Sequence, residues 1–152
     1  MTSAIHCAVT IALVLLVLLT GCSEPCNSIV SGWSGPANGL QMRIESASLY
    51  HRDGQLARFE VTCTVRNSGT TGVRVAHLAR LHLADSTGAT RACQRREDAA
   101  DLVPARPTVP PGGTTSWKQD GQIETRPGTY QLFAVWDGDP NVKSAPVNIT
   151  IQ

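Results

Sequence analysis

Apolar and polar residues alternate along most of this chain, and the exception is its beginning. Residues 8–19, AVTIALVLLVLL, are apolar apart from Thr10. That is about a dozen residues, where a bilayer-spanning helix needs roughly 20. From Gly39 onward the period is two, the period of a strand with one buried face. Leu40, Met42 and Ile44 share one parity, whereas Ala47 and Leu49 carry the apolar face in the other. A bulge or bend near 45–46 keeps both sets on one side. The clearest strand follows, with Phe59, Val61, Cys63 and Val65 on one face and Glu60, Thr62, Thr64 and Arg66 on the other. Val73, Val75, Leu81 and Leu83 share odd parity, as one strand or as two broken near Leu78. A short strand is predicted over 89–93, a turn or two of helix over 95–102, and another strand from Thr114. Residues 129–136, TYQLFAVW, are apolar on both faces, as a central covered strand is. Last come Ala145, Val147, Ile149 and Ile151 facing inward, with Pro146 marking an edge strand.

Turn signals separate these runs: His51-Arg52-Asp53-Gly54, Asn67-Ser68-Gly69, Asp85-Ser86-Thr87-Gly88 and Pro127-Gly128. About seven short strands so punctuated predict an all-β antiparallel sandwich. The order resembles immunoglobulin-like domains of bacterial envelope proteins, and the resemblance spans residues 39–152. Gly128-Thr129-Tyr130 stands where that fold places its tyrosine corner. Two residues on, where antibody domains carry the second core cysteine, stands Leu132. The resemblance therefore implies the architecture without the antibody-type disulfide, and it implies no activity.

The apolar run at the start ends in Leu19-Thr20-Gly21-Cys22, which resembles the lipobox of bacterial lipoproteins. The resemblance implies cleavage between Gly21 and Cys22 and a diacylglycerol on the Cys22 thiol. Residues 1–21 are then a signal peptide, 22–38 a flexible tether rich in Ser, Gly, Pro and Asn, and 39–152 the folded domain; Ile29, Val30 and Trp33 interrupt the tether's polarity, an opening for its end to pack on the domain. More than one acyl chain makes such an anchor stable, since each buried CH₂ contributes about 0.8 kcal/mol. The implied place is the cell envelope, and Ser23 rather than Asp after the cysteine implies the outer membrane if the host is Gram-negative.

Removing residues 1–21 from the 152 leaves 131, enough for one domain with its own core. All 13 Lys and Arg and all 12 Asp and Glu lie there, so the net charge of +1 excludes a large positive field and argues against nucleic acid. Eleven of the 13 cations are Arg, a skew read as genomic base composition rather than anion binding. Cys26, Cys63 and Cys93 remain after export, enough for one disulfide in the oxidising envelope. Cys63–Cys93 is the favoured pairing, with Cys26–Cys93, Cys26–Cys63 and no bond as competitors.

Candidate chemistry is sparse. His51, His77 and His82 form no metal-ligand spacing, and no CxxC or HxxxH pair occurs. No GxSxG elbow marks a nucleophile, and Asp137-Gly138-Asp139 is more simply a turn than a calcium loop. The expectation is a non-enzyme without metal or cofactor. Four prolines and the pair Gly112-Gly113 make 94–113 the longest irregular stretch, and long loops on rigid β scaffolds often carry function. Arg95 and Arg96 at its start and Trp117 beyond its end are the candidate contact residues, although a Trp so placed more often closes the end of the core, the favoured reading of Trp117. The expected function is a lipid-anchored binding or structural module for another envelope protein or a glycan. The alternative is an inhibitor or immunity protein against a protease or toxin, because Val65-Arg66-Asn67-Ser68-Gly69 and Pro127-Gly128-Thr129-Tyr130 are similar to β-sandwich proteinase-inhibitor families.

Overall fold

The computed structural model describes residues 30–95, 105–138 and 140–152, with the backbone alone at Tyr50 and His51. The signal segment, Cys22, Cys26, Arg96, Asp139 and most of the expected short helix lie outside the described residues. No helix occurs among those described, and none is long and apolar enough to cross a membrane.

Alternation puts Ala57, Phe59, Val61, Cys63 and Val65 on one face of strand β2 (Leu56–Asn67), all buried. Burying a side chain of that kind contributes about 1.5–3 kcal/mol, which fixes the face and with it the register. On one side β2 pairs antiparallel with β1 (Leu40–Asp53). The β1–β2 register slips between Ile44 and Ser46, so Glu45 is the extra residue that turns Ala47 inward after Leu40, Met42 and Ile44. This is the bulge expected from the parity change. On its other side β2 pairs with β7 (Thr114–Glu124), completing a three-stranded sheet of order β1-β2-β7.

The facing sheet has the order β10-β8-β4-β5, with β4 Arg80–Ala84, β5 Thr90–Ala92, β8 Gly128–Trp136 and β10 Val147–Ile151. Strand β9 (Val142–Lys143) pairs with the end of β8. Leu81, Leu83, Leu132, Ala134, Val147, Ile149 and Ile151 meet the inner face of the first sheet in one core. Three strands facing four, in this order, is the immunoglobulin-like arrangement of strands A-B-E against G-F-C-C′. The tyrosine corner is present. Tyr130 donates its hydroxyl to the Arg126 carbonyl at 2.8 Å and accepts from Thr125 Oγ1 at 2.8 Å.

Several expectations are corrected. Cys63 and Cys93 are both free. Cys63 is a small apolar unit of the β2 core face, and Cys93 follows β5, held by its own backbone bond to the Leu81 carbonyl. Of the two readings of Trp117 the structure has the favoured one, a core residue: it is 7% exposed, on the core face of β7 opposite Cys63. Of the two readings of 73–84 it has two strands, β3 (Val73–Arg74) and β4, whereas the stretch 94–113, expected to be irregular throughout, contains a strand, β6 (Thr108–Val109), paired with β3. In the last segment Ser144 is buried and Ala145 only partly so, because Ser144 exchanges bonds with the Ala134 backbone.

Residues 31–37, expected within the tether, lie along the free edge of β1. Ser31 donates its backbone N–H to the Ile44 carbonyl and Ser34 to that of Met42. Their hydroxyls accept in return from the same two residues' N–H groups. Trp33 sits between the guanidinium groups of Arg43 and Arg66, 4.5 and 4.4 Å from its ring centre. An edge that would otherwise offer unpaired backbone groups is thereby covered.

Candidate functional site

The two ends of the sandwich differ in how their charged groups are used. At the end holding the tyrosine corner, Arg91 donates to the Glu124 carbonyl and to Thr125 Oγ1, both at 2.9 Å. Asp85 caps its own turn, accepting from the Thr87 N–H and hydroxyl and the Ala89 N–H. Those bonds, the Thr87 hydroxyl first, hold its carboxyl below the usual carboxylate range. Charges here are spent on holding loops.

The opposite end is organised by Asn67, which is 1% exposed. Its amide nitrogen donates to the carbonyls of Thr71 and Val109, at 2.7 and 3.0 Å, while its side-chain oxygen accepts from the Gly69 N–H. Ser68 donates to the Gly39 carbonyl, and a Cβ on Gly39 would stand 2.7 Å from the Gly69 backbone. One side chain thus ties the β2–β3 turn to β6, beside the close approach of β1's first turn.

From that hub a two-stranded ribbon extends outward. Val73 faces Val109 and Arg74 faces Thr108. The same register continues as Val75 N–H bonds to the Pro107 carbonyl and His77 N–H to that of Ala105. Arg74 and Arg106 therefore lie on one face of the ribbon as diagonal neighbours, with the small Ala76 across from Arg106. The strip after the ribbon is clamped to β7: Gln119 accepts from the Ala79 N–H, donates to the Ala79 carbonyl and accepts from Trp117 Nε1. His77 stacks on Trp117, centroids 5.3 Å apart, with Nε2 2.6 Å from Thr115 Oγ1. Burial holds the His77 imidazole below its ordinary value.

Between this strip and the end of β8 lies a groove of about 460 Å³. Ala76, Leu78, Ala79, Val135 and Trp136 supply its apolar walls, and Arg74, Arg80 and Arg106 its charge. Gly138 lies flat on the Trp136 indole, where a Cβ would meet the ring at 2.2 Å. Among the described residues Asp137 is the single lining carboxylate, and it is occupied by Arg80 Nε at 2.7 Å. Arg74 and Arg106 are exposed and pair with no carboxylate among the described residues.

The expected contact residues divide. Arg95 lines a smaller pocket of about 160 Å³ with Cys93, Gln119 and Asp120, on the other side of 78–80. Trp117 supports the site from beneath through His77 and Gln119. Arg74, Arg80 and Arg106 fall under the compositional skew in the sequence, and no local signal sets them apart from the other arginines. Burial pushes the Cys93 thiol up to about 12, and that of Cys63 equally to about 12. Thiols so raised are poor nucleophiles at neutral pH. Groups of three or more metal-ligating side chains are absent among the described residues. In the motif around Asn67, Val65 and Asn67 are buried and Arg66 is held on Trp33, while Ser68 at its tip is exposed.

No protein family's sequence pattern matches the chain, and no curated protein matches it significantly. Solved structures do. An uncharacterised β-sandwich protein of Clostridium difficile 630 is 9% identical, covering 82% of this chain and 93% of its own, with a TM-score of 0.43. A candidate lipoprotein of Bacillus subtilis, ycdA, is 14% identical over 77% of this chain, which spans 38% of that protein, with a TM-score of 0.49. At such scores the likenesses carry no argument, and the fold rests on its own strand pairing.

Proposed function

We propose that this protein is a lipid-anchored cell-envelope lipoprotein that acts as a binding module for another envelope protein or a glycan. It works by contact rather than by catalysis. The observation that carries this reading is the groove: two guanidinium groups without a carboxylate partner among the described residues, over apolar walls, at one end of a rigid sandwich. Residues 31–37 lie along the β1 edge, and the lipid proposed on Cys22 joins the sandwich through the part of the chain that precedes them. Cleavage before Cys22 and, in a Gram-negative host, outer-membrane placement through Ser23 belong to the same proposal.

Two measurements test it in cells carrying the full-length protein. Cys22→Ser is expected to move the protein from the envelope fraction to the soluble one; a variant that still partitions with membranes overturns the anchor. A photo-crosslinking residue at Ala76 is expected to give a discrete adduct that one at Thr150, exposed on β10, does not. Identical patterns from both positions would overturn the groove as the contact site.

A further inference from the structure

The groove's chemistry narrows what it takes. Among the described residues its charged side chains are guanidinium donors, and the one lining carboxylate, Asp137, is engaged by Arg80. Sugar hydroxyls are recognised by donors and acceptors together and by open aromatic faces. Here Trp136 is buried and its ring is covered by Gly138. Guanidinium groups are planar forks that match carboxylates in bidentate geometry. Arg74 and Arg106 sit diagonally on one ribbon face, a relation that separates side-chain origins by about 7–8 Å. That spacing suits two carboxylates on one extended chain, whose residues i and i+2 share a face about 7 Å apart. Ala76, Leu78, Ala79 and Val135 offer apolar contact between and beyond them.

Resting on the proposed function, we propose that this groove binds an extended acidic peptide segment of a partner protein, with alternate carboxylates on Arg74 and Arg106 and apolar side chains on the wall formed by 76–79 and Val135. Arg80 positions the floor through Asp137 and is not itself the principal anchor.

The test uses full-length protein in zwitterionic detergent and a short fluorescein-labelled peptide alternating Glu and Leu, read by fluorescence anisotropy. Binding is expected to weaken with added salt. It is expected to fall about tenfold or more in Arg74→Ala/Arg106→Ala, as removing partners of charge-assisted bonds does. Arg126→Ala, which removes a charge at the opposite end, should leave it unchanged; an equal loss there would mean unspecific charge attraction and overturn the proposal. So would equal binding of the peptide with Gln in place of Glu, or displacement by polygalacturonate at lower concentration than by unlabelled peptide. Near-UV circular dichroism, through Trp117 and Trp136, checks that the double variant is folded; if it is not, Arg74→Lys/Arg106→Lys replaces it, expected to retain the fold and lose the bidentate fit. Failure of the peptide with persistent cellular adducts at Ala76 would remove this chemistry alone. Peptide binding without adducts would remove the proposed function and leave the groove's chemistry standing.

Discussion

Asn67 shows how much one side chain decides in a domain of this size. Its three side-chain bonds join the β2–β3 turn to β6; the bond to the Val109 carbonyl is buried and those to Thr71 and Gly69 are part-buried. Asn67→Ala strands the Val109 carbonyl in the interior, at about 1–3 kcal/mol when unsatisfied, and leaves the other two groups partly reachable by water. With partial relaxation we expect a loss of about 2–4 kcal/mol in urea unfolding, and weaker peptide binding because β6 carries the ribbon. Tyr130→Phe removes two bonds at a partly exposed corner, the one donated to the Arg126 carbonyl and the one accepted from Thr125 Oγ1, and should cost about 1–2 kcal/mol. Equal losses in the two variants would contradict the hub. The histidines set a pH dependence. Burial lowers His77 and His82 from 6.5 in the folded state, so the folded chain binds fewer protons than the unfolded one. Their contribution is fully present above about 6.5 and is lost as pH falls through the lower folded values. The Tm should drop between about pH 7.5 and pH 5.5, and His77→Gln/His82→Gln should flatten that drop; an unchanged slope would refute it.

At the scale of elements, the N-terminal segment behaves as part of the first sheet. Trp33 between Arg43 and Arg66 is worth about 0.5–1 kcal/mol for each cation–π contact at an exposed site. Trp33→Ala should therefore cost about 1–2 kcal/mol in urea unfolding and speed amide exchange at Met42 and Ile44, the residues bonded to Ser34 and Ser31. Unchanged exchange would show that the edge is held without the tryptophan. Composition places this stretch in the tether while Val30 and Trp33 signal packing at its end; the pairing with the β1 edge itself was not legible, since Ser, Gly and Pro mark loops whether or not their backbone finds a sheet edge. Phe133 is the converse case. Its strand is apolar on both faces, yet its outer face is covered by side chains alone, the His82 ring at 5.2 Å and Lys143 Nζ at 3.9 Å from the Phe133 ring centre. The bulge at Glu45 was legible, because a parity change in an alternating strand has one economical solution.

For the whole molecule, the free state of Cys63 and Cys93 gives a simple test. A bond closing a loop of about 30 residues would contribute roughly 3–4 kcal/mol. Adding dithiothreitol should leave the unfolding midpoint unmoved, and a drop of that size would restore the disulfide. Period-two alternation and turn chemistry determined the fold class, the core faces and the bulge, because a strand's buried face and a turn's φ demands are local properties written residue by residue; the tyrosine corner was implied by the resemblance to immunoglobulin-like domains. The ends of the sandwich were decided only in three dimensions. Arg74, Arg80 and Arg106 are separated in the chain and meet because β3 and β6 pair across more than 30 residues and Gln119 pins the strip between them. Trp117 took the core side of its strand, since β2 set the register of β7. Long-range pairing has no signature in local pattern, and the groove is made of nothing else.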